Sequence, residues 1–317
     1  MLDTSSTLDR HIDEFRAWCH GRGEAQDKAT EVTAPLYHYT NLGAVQGILG
    51  NEEIWFTDIY HLNDPTEFKH GAGIVLKVIA GHPQRRDPVI DYFCKPLCEN
   101  TEKRFKKIFS SHVASFTGLA DNQGQWEDYG DQGRGCAIEF APSFFRRGDA
   151  EPPAADGSRV HSMLMTPMIY DSLVVEQRLR ETIYKALETL YALRTVLGIT
   201  KREVGHRFME RFASLVALEI LIEAYMAKNP DYVAEAEVRL TIPAQQHLLA
   251  PYIETRERNG KIVPYVRQKL PVRKNVTGIV LGPMVTPETA QAVRDLLLSS
   301  GLDPDKLIRR STVQMER

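Results

Sequence analysis

Apolar side chains recur along this chain in two rhythms, and the changes of rhythm mark its elements. From Leu8 to His20 the apolar positions Leu8, Ile12, Phe15 and Cys19 keep the spacing of a helix that buries one face. Gly21 is placed to end that helix, and the polar stretch 22–33 reads as a linker. Leu36–Tyr39 reads as a short strand feeding a helix over 41–49. Its inner stripe is Leu42, Val45, Ile48 and Leu49, with Thr40 as a candidate cap and Gly50 beyond the end. Ile54–Phe56 is a second strand. Asn63-Asp64-Pro65-Thr66-Glu67 opens a further helix: Asp64 suits the cap, Pro65 the first helical position and Glu67 the third.

Helix is expected again over 88–109, strands over 113–117 and 136–140, and an exposed loop rich in Pro, Ala and Asp over 151–158. Two long helical patterns, 174–197 and 201–228, predict an αα hairpin around Gly198. The strand rhythm returns over 234–242, 262–269 and 276–281. Thr286-Pro287 then caps a helix to Ser299, and 307–309 is an edge strand. Strands and helices intermix without regular βαβ alternation, which predicts an α+β fold with a mixed or antiparallel sheet. The predicted organisation is an N-terminal helix and linker over 1–34, then one α+β domain over 35–317 carrying a helical insertion at about 171–228.

Composition narrows this little. Lys plus Arg number 39 against 42 Asp plus Glu, a formal charge of −3. That balance excludes a surface that is basic throughout, as a dedicated duplex-DNA binder needs, and leaves room for a local basic patch. The candidates for such a patch are 103–107 and 267–274, the first reading more readily as a solvated helix face with Phe105 and Ile108 inward. The richest apolar stretch, 213–227, is broken by Glu219 and Glu223 on one helical face, so it reads as a buried amphipathic helix. Acids and hydroxyls fill the first ten residues where a signal peptide needs an apolar core. A soluble cytoplasmic protein with no membrane partner is therefore expected. Its four cysteines, Cys19, Cys94, Cys98 and Cys136, are expected as free thiols.

The chain has no GxGxxG, Walker loop, HExxH or GxSxG. Cys94, Cys98 and His112 fit none of the usual zinc spacings, so no metal is expected. Four segments stand out instead. They are Leu36-Tyr37-His38-Tyr39-Thr40; Asn63 to Glu67; Ser115-Phe116-Thr117 followed by Trp126-Glu127-Asp128-Tyr129 and Gly135 to Phe140; and Glu235-Ala236-Glu237-Val238-Arg239. Each has a plain structural reading. His38 suits a satisfied core histidine, Trp126 and Tyr129 suit packing on a sheet, and Glu235, Glu237 and Arg239 suit a charged ladder along one strand face.

Taken in order, these segments resemble the bacterial domain-of-unknown-function family numbered 2971. Its members typically read L-Y-H-Y-T/S, N-D-P-x-E, a serine-phenylalanine strand, W-x-x-Y leading into G-x-x-I-E-F, and E-x-E-W-R. The resemblance covers about residues 35–313, with 276–283 and 308–311 as the closing strands. Val238 stands where tryptophan is usual, and the helical stretch 171–228 is long. The motif set is similar to that of the ADP-ribosyltransferase superfamily, which implies a site for NAD as substrate. The resemblance implies catalytic roles for His38 and for Glu237 or Glu235. It implies ligand contacts from His38, Tyr39, Thr40, Asn63, Asp64, Ser115, Trp126 or Tyr129, and Arg239.

The chemistry suits such a set. Cleaving the nicotinamide–ribose bond develops positive charge on the ribose, which a preorganised carboxylate stabilises. A flat aromatic holds nicotinamide by stacking, and a histidine at a strand end orients the ribose or carboxamide. Arg239 orders two carboxylates that otherwise repel. The implied activity is ADP-ribosyl transfer or NAD hydrolysis, in a toxin or anti-phage effector with a protein or nucleic-acid acceptor. The alternative is a catalytically inert module binding nucleotide, nucleic acid or protein on the same fold.

Overall fold

The computed structural model describes residues 4–62, 67–81, 87–88, 91, 94, 109–145, 163–199, 201–245, 249–258 and 260–315. They form two compact units, one helical and one built on a sheet. The expected cap at 63–66, most of the helix over 88–109, the basic run 103–107, Cys98 and the loop 151–158 lie outside the described residues.

The helical unit takes residues from three stretches of chain, 1–30, 64–108 and 169–230. Its principal helices are α1 (Thr4–Ala29), α3 (Glu67–Ala80), α5 (Ser172–Ala192), the short α6 (Arg194–Ile199) and α7 (Arg202–Met226). α2 (Leu42–Asn51) belongs to the other unit. Leu8, Ile12 and Phe15 of α1 pack with Leu179 and Ile183 of α5 and Phe212 and Val216 of α7. Gly71 lets α3 run against α7, since a β-carbon there would stand 2.1 Å from the Ala224 carbonyl oxygen.

The expected linker over 22–33 is a correction: α1 continues to Ala29. Its extra turns are held by tertiary contacts. Arg22 bonds Thr182 Oγ1 at 2.7 Å and the Glu223 carboxylate, and Gln26 donates to Met226 Sδ at 3.1 Å. Glu223 also meets Arg178 at 2.9 Å, and its side chain is 5% exposed. Burial pushes the Glu223 pKa up despite Arg178 and Arg22 beside it.

The sheet unit holds a ten-stranded sheet. Its strands are β1 (Leu36–Thr40), β2 (Glu53–Asp58), β3 (Phe109–Thr117), β4 (Cys136–Phe140), β5 (Leu164–Pro167), β6 (Glu237–Gln245), β7 (Ile253–Arg258), β8 (Lys261–Lys269), β9 (Val276–Leu281) and β10 (Ile308–Arg310). The order is β10-β9-β4-β1-β3-β2-β8-β7, with β6 on β3 and β5 on β6. Among the described strands only β9 and β10 pair in parallel. The α+β class with a mixed, largely antiparallel sheet is thus the observed one.

β3 is the branch point. β6 runs along its whole length, from Phe109↔Gln245 to Thr117↔Glu237. Its other edge is shared: β1 pairs at Tyr37↔Thr117, and β2 pairs at Thr57↔Val113 and Asp58↔His112. One face of this sheet forms the main core with α2 and with α9 (Pro287–Ser299), which follows the one-turn α8 (Val272–Asn275), through Ile54, Phe56, Phe116, Ile138, Ile279, Val293 and Leu297.

Several local expectations shift. Phe109 starts β3 instead of ending a helix, residues 230–235 form a 3₁₀ turn ahead of β6, and β5 and β7 were not anticipated. Asn41, not Thr40, caps α2, its Oδ1 accepting from Ala44 N at 2.9 Å. Gly50 lies within α2, which ends at Asn51 and is capped by Glu52 in a left-handed conformation, φ 50°. Thr286 caps α9 with Pro287 following, as the sequence predicts. Among the described residues no helix is long and apolar enough to cross a membrane.

Glu223 supplies a stability test. Glu223→Ala removes the carboxylate that Arg22 and Arg178 share and is expected to cost about 2–3 kcal/mol, below the range for a fully buried pair because both arginines reach solvent. Glu223→Gln keeps hydrogen-bond acceptance, removes the desolvated charge and is expected to cost less. Urea unfolding of the three proteins measures the order.

Candidate active site

Register places one row of side chains on a single face of the sheet. Tyr37 pairs with Glu139 of β4 on one side and Thr117 of β3 on the other, and Thr117 pairs with Glu237 of β6. Alternation along each strand adds Tyr39, Ala137 and Arg239 to that face. Over it lies α4 (Gln123–Asp128), capped by Asn122, whose Oδ1 accepts from Gln125 N at 3.1 Å.

Trp126 of α4 is fully buried against Tyr39, Ala137 and Val280, its ring 4.6 Å from that of Tyr39 in an edge-on contact. Its indole nitrogen donates to Asp121 Oδ1 at 2.7 Å. Asp121 also accepts from Ser311 Oγ at 2.6 Å and Thr312 N at 2.7 Å, tying α4 to the C-terminal segment. Burial works against the Asp121 carboxylate, but the bonds from Ser311, Thr312 and Trp126 outweigh it and hold its pKa below the ordinary range. The Tyr39 hydroxyl donates to Leu119 O at 2.9 Å and accepts from Asn122 N at 3.2 Å, and burial pushes its pKa up to about 12. Trp126 and Tyr39 are therefore packing residues that seat α4. Trp126 offers no open ring face to a ligand.

Tyr129, directly after α4, reaches the acids. Its hydroxyl donates to Glu235 Oε1 at 3.2 Å. Burial and the charges of Glu235 and Glu237 raise its pKa strongly, so it stays a hydrogen-bond donor at neutral pH. Glu235 itself is anchored through its backbone, whose carbonyl accepts from Thr117 Oγ1 at 2.8 Å and from Gln125 Nε2 at 3.3 Å. Ala236 then has φ of 45°, a left-handed conformation that an alanine adopts only under local constraint. That residue breaks the strand between the two acids. Glu235 lies in the turn, half-buried, and Glu237 starts β6, buried.

Arg239 grips Glu237 with two bonds, Nε to Oε1 at 2.7 Å and Nη2 to Oε2 at 2.9 Å. With side chains 4% and 7% exposed, the pair is a desolvated, fixed ion pair. Ser115 sits opposite Arg239 in the register. Thr40 is buried, and Gly135 keeps its carbonyl clear, since a β-carbon at 135 would stand 2.1 Å from Thr40 O.

His38 stands apart. It faces the other side of β1 from Tyr37 and Tyr39, where its ring lies 5.4 Å from that of Phe116. Its Nδ1 bonds the Ser115 carbonyl at 2.9 Å, bridging β1 to β3 where the two strands diverge. Of the predicted site residues, the structure brings together Tyr129, Glu235, Glu237, Arg239 and Ser115. It ties His38 to them only through the β3 backbone, it places Tyr39, Thr40 and Trp126 in support, and Asn63 and Asp64 lie outside the described residues.

Tyr37, Thr117 and Glu139 stand in the motifs singled out in the sequence, and Gln125 beside Trp126, but none is assigned a role there; Thr117 and Gln125 fix the Glu235 backbone, and Thr277 and Arg309 join Tyr37 and Glu139 in a neighbouring cluster. The Glu139 carboxylate accepts from Tyr37 Oη at 3.1 Å, from Thr277 Oγ1 at 2.8 Å and from Arg309. Period-two alternation would have put Tyr37 and Glu139 on the site's face, but Arg309 has no local signal. Cys19 and Cys136 are buried free thiols, Cys94 is buried, and among the described residues no cluster of His, Cys, Asp or Glu is arranged to hold a metal ion. No family model, curated protein or solved structure matches the chain.

His38 carries a pH prediction. Burial lowers its pKa below 6.5 against the opposing Ser115 bond. The unfolded chain then takes up this proton first as pH falls, so the His38 contribution to stability is full above about 6.5 and declines below it. Titration of the imidazole by NMR is expected to give a midpoint below 6.5. A midpoint above it would show a charge partner that the site does not contain.

Proposed function

We propose that this protein cleaves the nicotinamide–ribose bond of NAD, passing ADP-ribose to an acceptor or to water. The observation that carries the reading is the cluster of Tyr129, Glu235, Glu237 and Arg239, assembled at the strained start of β6. In this reading nicotinamide leaves with the electron pair of the broken C–N bond. Glu237, held rigid and desolvated by Arg239, stabilises the positive charge on the ribose without reorganising during the step. Glu235 and the Tyr129 hydroxyl hold the ribose and nicotinamide in place beside it. The acceptor oxygen or nitrogen bonds to C1′ and its proton passes to Glu235 or to solvent. His38 is a positioning residue here: its bond to Ser115 O fixes β3 under the acids.

Two observations support a second reading, in which the site binds a nucleotide without cleaving it. Both Glu237 oxygens are engaged by Arg239, and His38 does not share the acids' face.

Nicotinamide release from NAD by the purified chain, with cell lysate as acceptor source, separates the two. Glu237→Gln is expected to lower the rate by about 100-fold or more, the scale for removing one preorganised stabilising group. Tyr129→Phe is expected to lower it by roughly tenfold, the loss of one hydrogen bond to a charged group. Binding of NAD without release supports the second reading. Wild-type release rates in both Glu235→Gln and Glu237→Gln would rule out the enzyme reading.

A further inference from the structure

The face of β2, β8 and β7 that carries Trp55 holds an arrangement that the site on β6 does not use: Glu53, Thr57 and Tyr265 are buried in it, and Trp55, Arg267 and Lys269 are exposed. Register puts Glu53, Trp55 and Thr57 of β2 beside Lys269, Arg267 and Tyr265 of β8, and sets Glu254, Arg256 and Arg258 of β7 on the same face. Trp55 is 40% exposed, an unusual position for the largest apolar side chain. Its ring stacks on Tyr265 at 4.4 Å with an interplanar angle of 22°. The Arg256 guanidinium lies 5.3 Å from the Trp55 centroid and 5.5 Å from that of Tyr265.

The cations on this face differ in what they meet. Arg267 is paired with Glu254 at 2.6 Å and Lys269 with Glu53 at 3.6 Å. Arg256 donates from Nη2 to Thr57 Oγ1 at 3.0 Å and forms no ion pair among the described residues. Its Nε is buried and has no hydrogen-bond partner. Burial and the adjacent Arg258 charge depress its pKa, as befits a cation lacking its counter-ion. The buried Nε is closed to a ligand, and Nη1, which makes no hydrogen bond among the described residues, is the donor left for an anion to meet.

We propose that this face binds single-stranded nucleic acid, with a base against the exposed part of the Trp55 ring and a phosphate on Arg256 Nη1. An unpaired strand offers what the patch lacks, a flat π-face beside an anion, repeated along the chain. A duplex hides its bases and cannot use Trp55. The net charge of −3 confines the attraction to this local excess of Arg256, Arg258, Arg267 and Lys269 over Glu53 and Glu254. The proposal is independent of NAD chemistry.

Fluorescence anisotropy of labelled oligothymidylate and oligouridylate with the full chain tests it. The expected result is binding that weakens as salt rises, with quenching of tryptophan emission. Trp55→Ala and Arg256→Gln are each expected to weaken binding by about tenfold or more, on the scale of one lost stacking or phosphate contact. Trp55→Phe, which keeps a stacking ring, is expected to retain most of it. Absence of binding at low salt, equal binding of a duplex, displacement by polyglutamate at equal potency, or binding unchanged in both Trp55→Ala and Arg256→Gln would each overturn the proposal.

Discussion

Thr117 closes β3 between two neighbours, Tyr37 on one side and Glu237 on the other, and the site depends on that double pairing. Its hydroxyl also holds the Glu235 carbonyl, so one residue sets both the strand position of Glu237 and the turn that carries Glu235. β3 can serve both neighbours because β1 and β2 share its other edge, each pairing with a different part of it. Where β1 leaves β3, the ladder is continued by a side chain: His38 bonds the Ser115 carbonyl. His38 thus supports the geometry of these strands from one face, while the opposite face collects the acids.

The acids gain their character from the same arrangement. A carboxylate buried beside apolar residues is ordinarily costly, and Arg239 offsets that cost for Glu237 through a two-bond contact inside one strand. Glu235 is set off by the left-handed Ala236 into a different environment, half-buried and donated to by Tyr129. Two acids two residues apart therefore differ in burial and partner, the condition for dividing roles within one site.

Much of this was legible in the sequence where local chemistry decides. Cys136–Phe140 is a strand because five consecutive residues are buried, and Thr286-Pro287 specifies a helix start by itself. The grouping of Tyr129, Glu235, Glu237 and Arg239 was visible as motifs, though spacing alone did not separate Tyr129 from Trp126. That separation rests on burial: Trp126 fills a pocket under Tyr39 and Asp121, and no periodicity in a six-residue helix shows it. The continuation of α1 past Gly21 escaped because its stabilising partners, Thr182, Glu223 and Met226, are far along the chain. The turn at Ala236 escaped because alanine carries no left-handed preference. Arg309 joins Glu139 across 170 residues, beyond any local reading.

In the proposed reading Tyr129, Glu235 and Glu237 face one ligand at the start of β6. A crystal structure of the chain with a non-hydrolysable NAD analogue tests it most directly. The nicotinamide-bearing ribose is expected within hydrogen-bond distance of a Glu235 or Glu237 oxygen, on the face shared with Tyr37 and Tyr129. An analogue bound on the Phe116 side of β1, against His38 and away from both acids, would contradict it.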